Sequence, residues 1–185
     1  MIDGLAPLAA ADARVLVLGS FPSVRSLVER RYYAHPRNAF WPIMDELFGL
    51  GEAPDYERRA AALVAAGVAV WDVLQTADRP GSADAAIVSG SEIVNDFEGF
   101  FAAHCRIHHV FFNGAKAEQL YRRLVLTRPA PPGDGLALRR LPSTSPANAA
   151  LSKAEKLAAW RVVREAVEPT GARRGSGVAA RSLSK

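Results

Sequence analysis

The run Val15-Leu16-Val17-Leu18 contains no polar residue. A strand with one face in water alternates apolar and polar side chains. A run without alternation belongs where both faces are covered, inside a parallel sheet flanked by helices. Val68-Ala69-Val70-Trp71 repeats the pattern, Ile107–Phe112 is mostly apolar, and Leu136–Leu141 supplies a fourth strand. Helical patterns separate them. One starts at the Ser23 cap and runs to about Arg31; one spans Ala39–Phe48 and is closed by Gly49. Tyr56–Ala66 ends at Gly67, a fourth helix runs from an Asn95 cap to about His104, and a fifth covers Ala115–Leu126. The last opens on the capping box Ser152–Glu155 and runs to about Val167.

The order β-α-α-β-α-β-α-β-α predicts an α/β fold: a four-stranded parallel sheet in a three-layer α/β/α sandwich. Residues 1–168 read as one domain, with residues 169–185, rich in Gly, Ser, Ala and Arg, as a disordered basic tail. Residues 1–13 read as a lead-in with room for one helical turn. Residues 75–92 read as a long loop, a length that compact domains usually keep for function.

Charge says little about partners of the body. The last acid is Glu168, so residues 1–168 are electrically balanced and the net charge of +4 sits in the tail. A polyanion site on the body has to come from a local cluster, and Arg25, Arg30, Arg31 and Arg37 form one. With Cys105 the sole cysteine, neither an intramolecular disulfide nor a cysteine-rich metal site can form. His35, His104, His108 and His109 lack metal-ligand spacing, and no metal site is expected. The chain lacks a signal-peptide pattern and any 18-residue apolar run, so a soluble cytoplasmic protein is expected.

In open parallel sheets, ligands bind beyond the carboxyl ends of the strands. Those ends are Gly19–Ser23, Trp71–Asp72, Asn113–Gly114 and the stiff polar loop Pro142–Asn148. The segment Tyr32-Tyr33-Ala34-His35-Pro36-Arg37-Asn38-Ala39-Phe40-Trp41 follows the first of them and holds the densest mixture of aromatic, basic and amide groups in the chain. Aromatic rings stack on bases, Arg and His meet phosphates, and an amide holds a water or a base edge. Asn38 also stands where a helix cap is expected. The chain has no phosphate-cradling GxxxxGK[ST] loop, no GxGxxG and no GxSxG elbow. What remains is a site able to position water and stabilise charge without a strong nucleophile.

Six segments together resemble the uracil-DNA glycosylase superfamily, and within it the hypoxanthine-DNA glycosylase branch. They are Leu18–Ser23, Tyr32–Trp41, Val70–Leu74, Gly81–Asp84, Phe111–Ala117 and Leu141–Ala149. The resemblance covers roughly Val15–Val167. It implies a monomeric DNA repair enzyme that extrudes a deaminated base, hypoxanthine first, and hydrolyses its N-glycosidic bond without metal or cofactor. Most branches orient the water with Asn or Asp just before the proline of the first motif. Here Phe21 holds that place, and the resemblance transfers the role to Asn38. It further implies base contacts by Gly19, Ser20, Phe21, Tyr33, Phe40, Asp72 and Asn113. Tyr33 would stack on the base, with Tyr32 as the other candidate. DNA contacts would come from Arg37, Lys116, Ser143, Thr144, Ser145 and Asn148. The rival expectations are a uracil or mixed-specificity glycosylase, hydrolysis of free nucleosides, and a non-catalytic nucleic-acid-binding module. Cap and catalytic roles of Asn38 combine if its backbone, and not its amide, starts the helix.

Overall fold

The computed structural model describes residues 2–50 and 55–168; the expected basic tail lies outside the described residues. In chain order the elements are β1 Ile2–Asp3, β2 Val15–Gly19, α1 Val24–Glu29, α2 Phe40–Phe48, α3 Tyr56–Ala65, β3 Val68–Asp72 and β4 Leu74–Ala77. After a 3-10 turn at Asp84–Ala86 come β5 Ile93–Val94, α4 Phe97–Ala103, β6 His109–Asn113, α5 Ala115–Leu124, β7 Ala137–Leu141 and α6 Lys153–Val167. No described helix is long and apolar enough to cross a membrane.

The main sheet has the order β3-β2-β6-β7, and its strand pairs are all parallel. Every residue of β2 and β3 is buried, as their unbroken apolar runs require. The register sets Gly19 opposite Asp72 across β2 and β3, and Asn113 opposite Leu141 across β6 and β7. All four strands therefore end at one rim.

Three expectations change. The lead-in is not helical: β1 pairs antiparallel with β4, and Leu8 exchanges both backbone hydrogen bonds with Val70 on the outer edge of β3. The expected loop over residues 75–92 is shorter: β4 takes its first three residues and joins β1 and β5 in a second, antiparallel sheet, while residues 78–92 stay loop apart from the 3-10 turn. These strands are two to four residues long, too short to show a period. Asn95 does not cap α4. The Asp96 carboxylate accepts from Gly99 N–H at 3.0 Å, while Asn95 Nδ2 donates to the Asp72 carbonyl at 2.9 Å. The opposite edge strand, β7, bears the exposed Arg139 and Arg140.

The remaining caps follow their chemistry. Ser23 accepts from Ser26 N–H at the start of α1, and Ser152 and Glu155 form the reciprocal box of α6. Helix α6 carries the fully buried Trp160, whose ring meets Phe40 edge-to-face at 6.0 Å. Its Nε1 donates to the Pro142 carbonyl at 3.0 Å, tying α6 to the loop after β7. Replacing Trp160 by Ala removes a whole buried ring and this hydrogen bond. Urea unfolding is expected to show a loss of about 3–5 kcal/mol relative to the parent chain.

Candidate active site

At the rim where the four parallel strands end lies a cavity of about 560 Å³. That is within the range of small-molecule sites, roughly 300–1,000 Å³. Its walls come from the loop after β2, the Tyr32–Asn38 segment, the end of β3, residues 82–85, Asn113 and residues 143–148.

Gly19 ends β2 because a side chain does not fit there. A Cβ at this position would stand 2.2 Å from Asp72 Oδ1 and 3.4 Å from Tyr33 Oη. The bare backbone lets a carboxyl and a phenol crowd into one corner. Asp72 is 4% exposed and its Oδ2 has no hydrogen-bond partner. Burial, and next the Asp84 charge, push its carboxyl up to about 7 against the opposing pull of Arg79. Tyr33 Oη is likewise buried without a partner. Burial first, and then the Asp72 charge, hold that hydroxyl well above the usual phenol range, opposed by the neighbouring Asn113. The Tyr33 backbone is left-handed, with φ of 55°, which costs a non-glycine residue roughly 1–2 kcal/mol. Its ring stacks on Phe40 at 4.0 Å between centroids, so Phe40 fixes the ring from behind.

The segment that carries Tyr33 is held at both ends. Tyr32 is 3% exposed and donates its hydroxyl to the carbonyls of Leu5 and Ala6, while its own carbonyl accepts from Trp41 Nε1 at 2.8 Å. Tyr32 is thus a structural support, and Tyr33 is the ring available to a ligand. Asn38 lines the cavity. Its backbone N–H donates to the His35 carbonyl at 2.8 Å, and the next residue donates to the Thr144 carbonyl at 3.0 Å. The Asn38 amide oxygen accepts from Phe40 N–H at 2.9 Å. The amide oxygen does take part in the turn into α2, so the condition that only the backbone starts the helix is not met. Oδ1 keeps one lone pair and Nδ2 both hydrogens, enough for a water or a substrate oxygen.

Several expected roles change with the geometry. Phe40 is fully buried and does not line the cavity; it reaches a ligand only through Tyr33. Thr144 is 1% exposed and its side chain and backbone are both bonded to Asn113, at 2.8 Å each. It cannot meet a phosphate; it positions Asn113. The Asn113 amide has one donor and one lone pair left toward the cavity. Ser143 and Ser145 are half-buried, and each hydroxyl oxygen accepts a backbone N–H within the loop, which leaves each hydroxyl proton free to donate. The Asn148 amide instead donates to the Ser143 carbonyl, and buried Lys156 reaches the Asn148 carbonyl at 2.7 Å, so Asn148 stiffens the loop. Arg37 is exposed beside the mouth, and Lys116 sits in the first turn of α5; neither lines the cavity.

Gly19, Ser20, Phe21, Tyr33, Asn38, Asp72 and Asn113 do converge on the cavity. Phe21 presents a ring only. Over that ring, at 5.0 Å, lies the buried guanidinium of Arg79. Arg79 donates to the carbonyls of Phe21, Pro22 and Gly81 and so clamps the segment after β4 onto the loop after β2. Ser82 Oγ accepts from Val24 N–H, and Ser20 Oγ donates to Asp84 Oδ1 at 2.6 Å. Arg79, Ser82 and Asp84 were not among the expected site residues. Ser82 and Asp84 fall within Gly81–Asp84, one of the six matching segments, and all three residues fall within the expected long loop 75–92, whose length points to function.

The comparisons agree with this geometry. The profile of the Uracil DNA glycosylase superfamily matches residues 6–164. A Methanosarcina acetivorans protein named hypoxanthine DNA glycosylase is 33% identical over 153 residues, which covers 82% of this chain and 90% of that protein. A Methanosarcina barkeri protein of the same name is 30% identical over 116 residues, or 62% of this chain and 72% of its own length. A solution NMR structure from M. acetivorans, provisionally named a uracil DNA glycosylase, superposes with a TM-score of 0.73 at 30% identity, covering 89% of this chain and 97% of that one. The chain is a member of the uracil-DNA glycosylase superfamily.

Proposed function

We propose that this protein is a monofunctional DNA glycosylase that excises hypoxanthine from DNA, acting as a monomer in the cytoplasm. The observation that carries the reading is the pairing of a phenylalanine, Phe21, at the usual water-orienting place with an amide, Asn38, on the wall of the same cavity. The names of the two Methanosarcina relatives support hypoxanthine as the base. One chain supplies the whole cavity, which supports action as a monomer.

In the proposed reaction a water held by Asn38 attacks C1′ of the extruded nucleotide. The C1′–O bond forms as the C1′–N9 bond breaks, and the bonding electron pair leaves with the purine. The attacking water gives up a proton to solvent and the purine anion takes one up, so one water is consumed and an abasic site remains in DNA. Charge separates along this path, positive on the sugar and negative on the base, so preorganised dipoles lower the barrier. The Tyr33 ring, backed by Phe40, stacks on the base. Ser143 and Ser145 donate to backbone phosphates, and Arg37 lends positive charge at the mouth.

Asp72 offers the base a complementary edge. Burial and the Asp84 charge push its carboxyl up to about 7, so it keeps a proton at pH values where ordinary carboxyls have lost theirs. The protonated form offers one donor and one acceptor, O–H and C=O. Hypoxanthine presents the complement on its lactam edge, N1–H and O6. A carboxylic acid can hold its proton on either oxygen, so this pairing admits hypoxanthine without by itself rejecting adenine, whose N1 and N6 it can also meet. The neutral acid also spares the departing purine anion a like charge. Uracil carries the same lactam pattern, so the corner does not by itself separate the two, and Tyr33 favours the larger purine face.

Replacing Asn38 by Ala is expected to slow excision from an inosine-containing duplex on the order of a hundredfold under single turnover, with DNA affinity little changed. Wild-type rates for Asn38→Ala would refute the mechanism. Duplexes with uracil or no lesion, and free inosine, run in parallel. No product from any substrate would leave a binding module as the answer.

A second test concerns pH. Protonated Asp72 is the competent form, so kcat/KM on inosine DNA is expected to fall as pH rises through about 7. Asp72→Asn offers a donor and an acceptor at every pH. It is expected to retain activity and lose this decline.

A further inference from the structure

We infer that Asp84 is a positioning residue of the base pocket: fixed by the Ser20 hydroxyl, its carboxylate keeps the proton on Asp72 while an extruded base fills the cavity. The inference rests on the reading of Asp72 given above.

The geometry that carries it is a second carboxylate in a wall where one already lacks a partner. Asp84 lies at the first position of the 3-10 turn and lines the cavity that Asp72 lines. Ser20, one residue beyond the Gly19 that pairs with Asp72, donates to Asp84 Oδ1 at 2.6 Å. That bond fixes the direction of the Asp84 charge. Asp72 Oδ2 has no hydrogen bond to set against it.

Arg25 of α1 and His35 also line the cavity, but four other groups bear on Asp72 itself. Tyr32 and Tyr33 come from the segment before α2, and both hydroxyls are raised by burial, so they stay neutral near pH 7. Arg79 and Asp84 come from the segment after β4. Arg79 is the one cation of the four, and its guanidinium donates to the carbonyls of Phe21, Pro22 and Gly81. It neutralises neither carboxylate by a direct contact. Two like charges in one wall resolve by one of them holding a proton. Asp72, at 4% exposure, is the group that burial makes costly to ionise, so it is the one that holds the proton.

Asp84 is exposed, and its exposure says when the coupling matters. In the open cavity water screens the two groups from one another. A base that fills the cavity displaces this water, and the same separation then carries a stronger interaction. The proton on Asp72 is therefore held more firmly in the complex than in the free protein. Substrate binding itself secures the competent state.

The experiment compares Asp84→Asn with the parent chain. The variant keeps an oxygen to accept from Ser20 and removes the charge. The pH dependence of kcat/KM reports the free protein, and that of kcat, taken from single turnover at saturating enzyme, reports the complex. With the Asp84 charge gone, Asp72 loses its proton at lower pH. The descending limb of kcat is expected to move down by on the order of one pH unit. The limb of kcat/KM moves less, and Asp84→Glu restores both. The Asp72 carboxyl carbon, followed by NMR in the full chain and assigned with Asp72→Asn, reads the same shift without turnover. If Asp84→Asn does not fold, Asp84→Ser carries the same test. A parent limb near pH 7 that Asp84→Asn leaves in place, with an unchanged Asp72 titration, overturns the role of Asp84 alone. A parent chain with no such limb, whose Asp72 titrates as an ordinary carboxyl, overturns the role of Asp72 as well.

Discussion

A carboxyl group buried at the end of a parallel strand, with one oxygen unpartnered, is the constraint around which this site is built. Gly19 has no side chain because Asp72 occupies the space one would fill. Tyr33 accepts a left-handed backbone, which brings its hydroxyl into the same corner. Asn95 leaves the capping of α4 to its neighbour and holds the Asp72 carbonyl. Buried polar atoms are nearly always paired in native proteins. A corner with two unpaired oxygens is a corner shaped for something else, and a nucleobase edge has the donors and acceptors to complete it.

The same corner explains how a phenylalanine is tolerated at the water-orienting position of the superfamily. Phe21 packs under the Arg79 guanidinium and gives the segment after β4 a firm seat. That seat brings Asp84 within reach of Ser20. In the proposed mechanism the polar work absent at Phe21 falls to Asn38, whose amide accepts from Phe40 N–H at the turn into α2 and which lines the same cavity. Asp72, Tyr33 and Asn38 all line the one cavity, with the Tyr33 ring backed by Phe40.

The main sheet was legible because burial on both faces removes alternation, and Val15–Leu18 and Val68–Trp71 display that loss directly. The second sheet was hidden because pairs as short as Ile2–Asp3 and Ile93–Val94 carry no period; their partners lie far away in the chain. The rim residues were legible from the strand ends together with the six matching segments. Their partners were not. Nothing in a sequence says that Thr144 spends its hydrogen bonds on Asn113, or that Phe40 hides behind Tyr33. Arg79 looked like an ordinary loop arginine, since its burial depends on the fold of strands that the sequence did not reveal.

The two edges of the main sheet are finished differently. Leu8 bonds the outer edge of β3 at Val70 through both of its backbone hydrogen bonds, whereas among the described residues no strand pairs with the outer edge of β7, which bears Arg139 and Arg140. An open edge is a template for strand addition, and charge is the usual deterrent. Protection on one side is steric and on the other electrostatic. High salt weakens only the second, so β7 is the side on which self-association would begin, while the β3 side keeps its cover at any ionic strength.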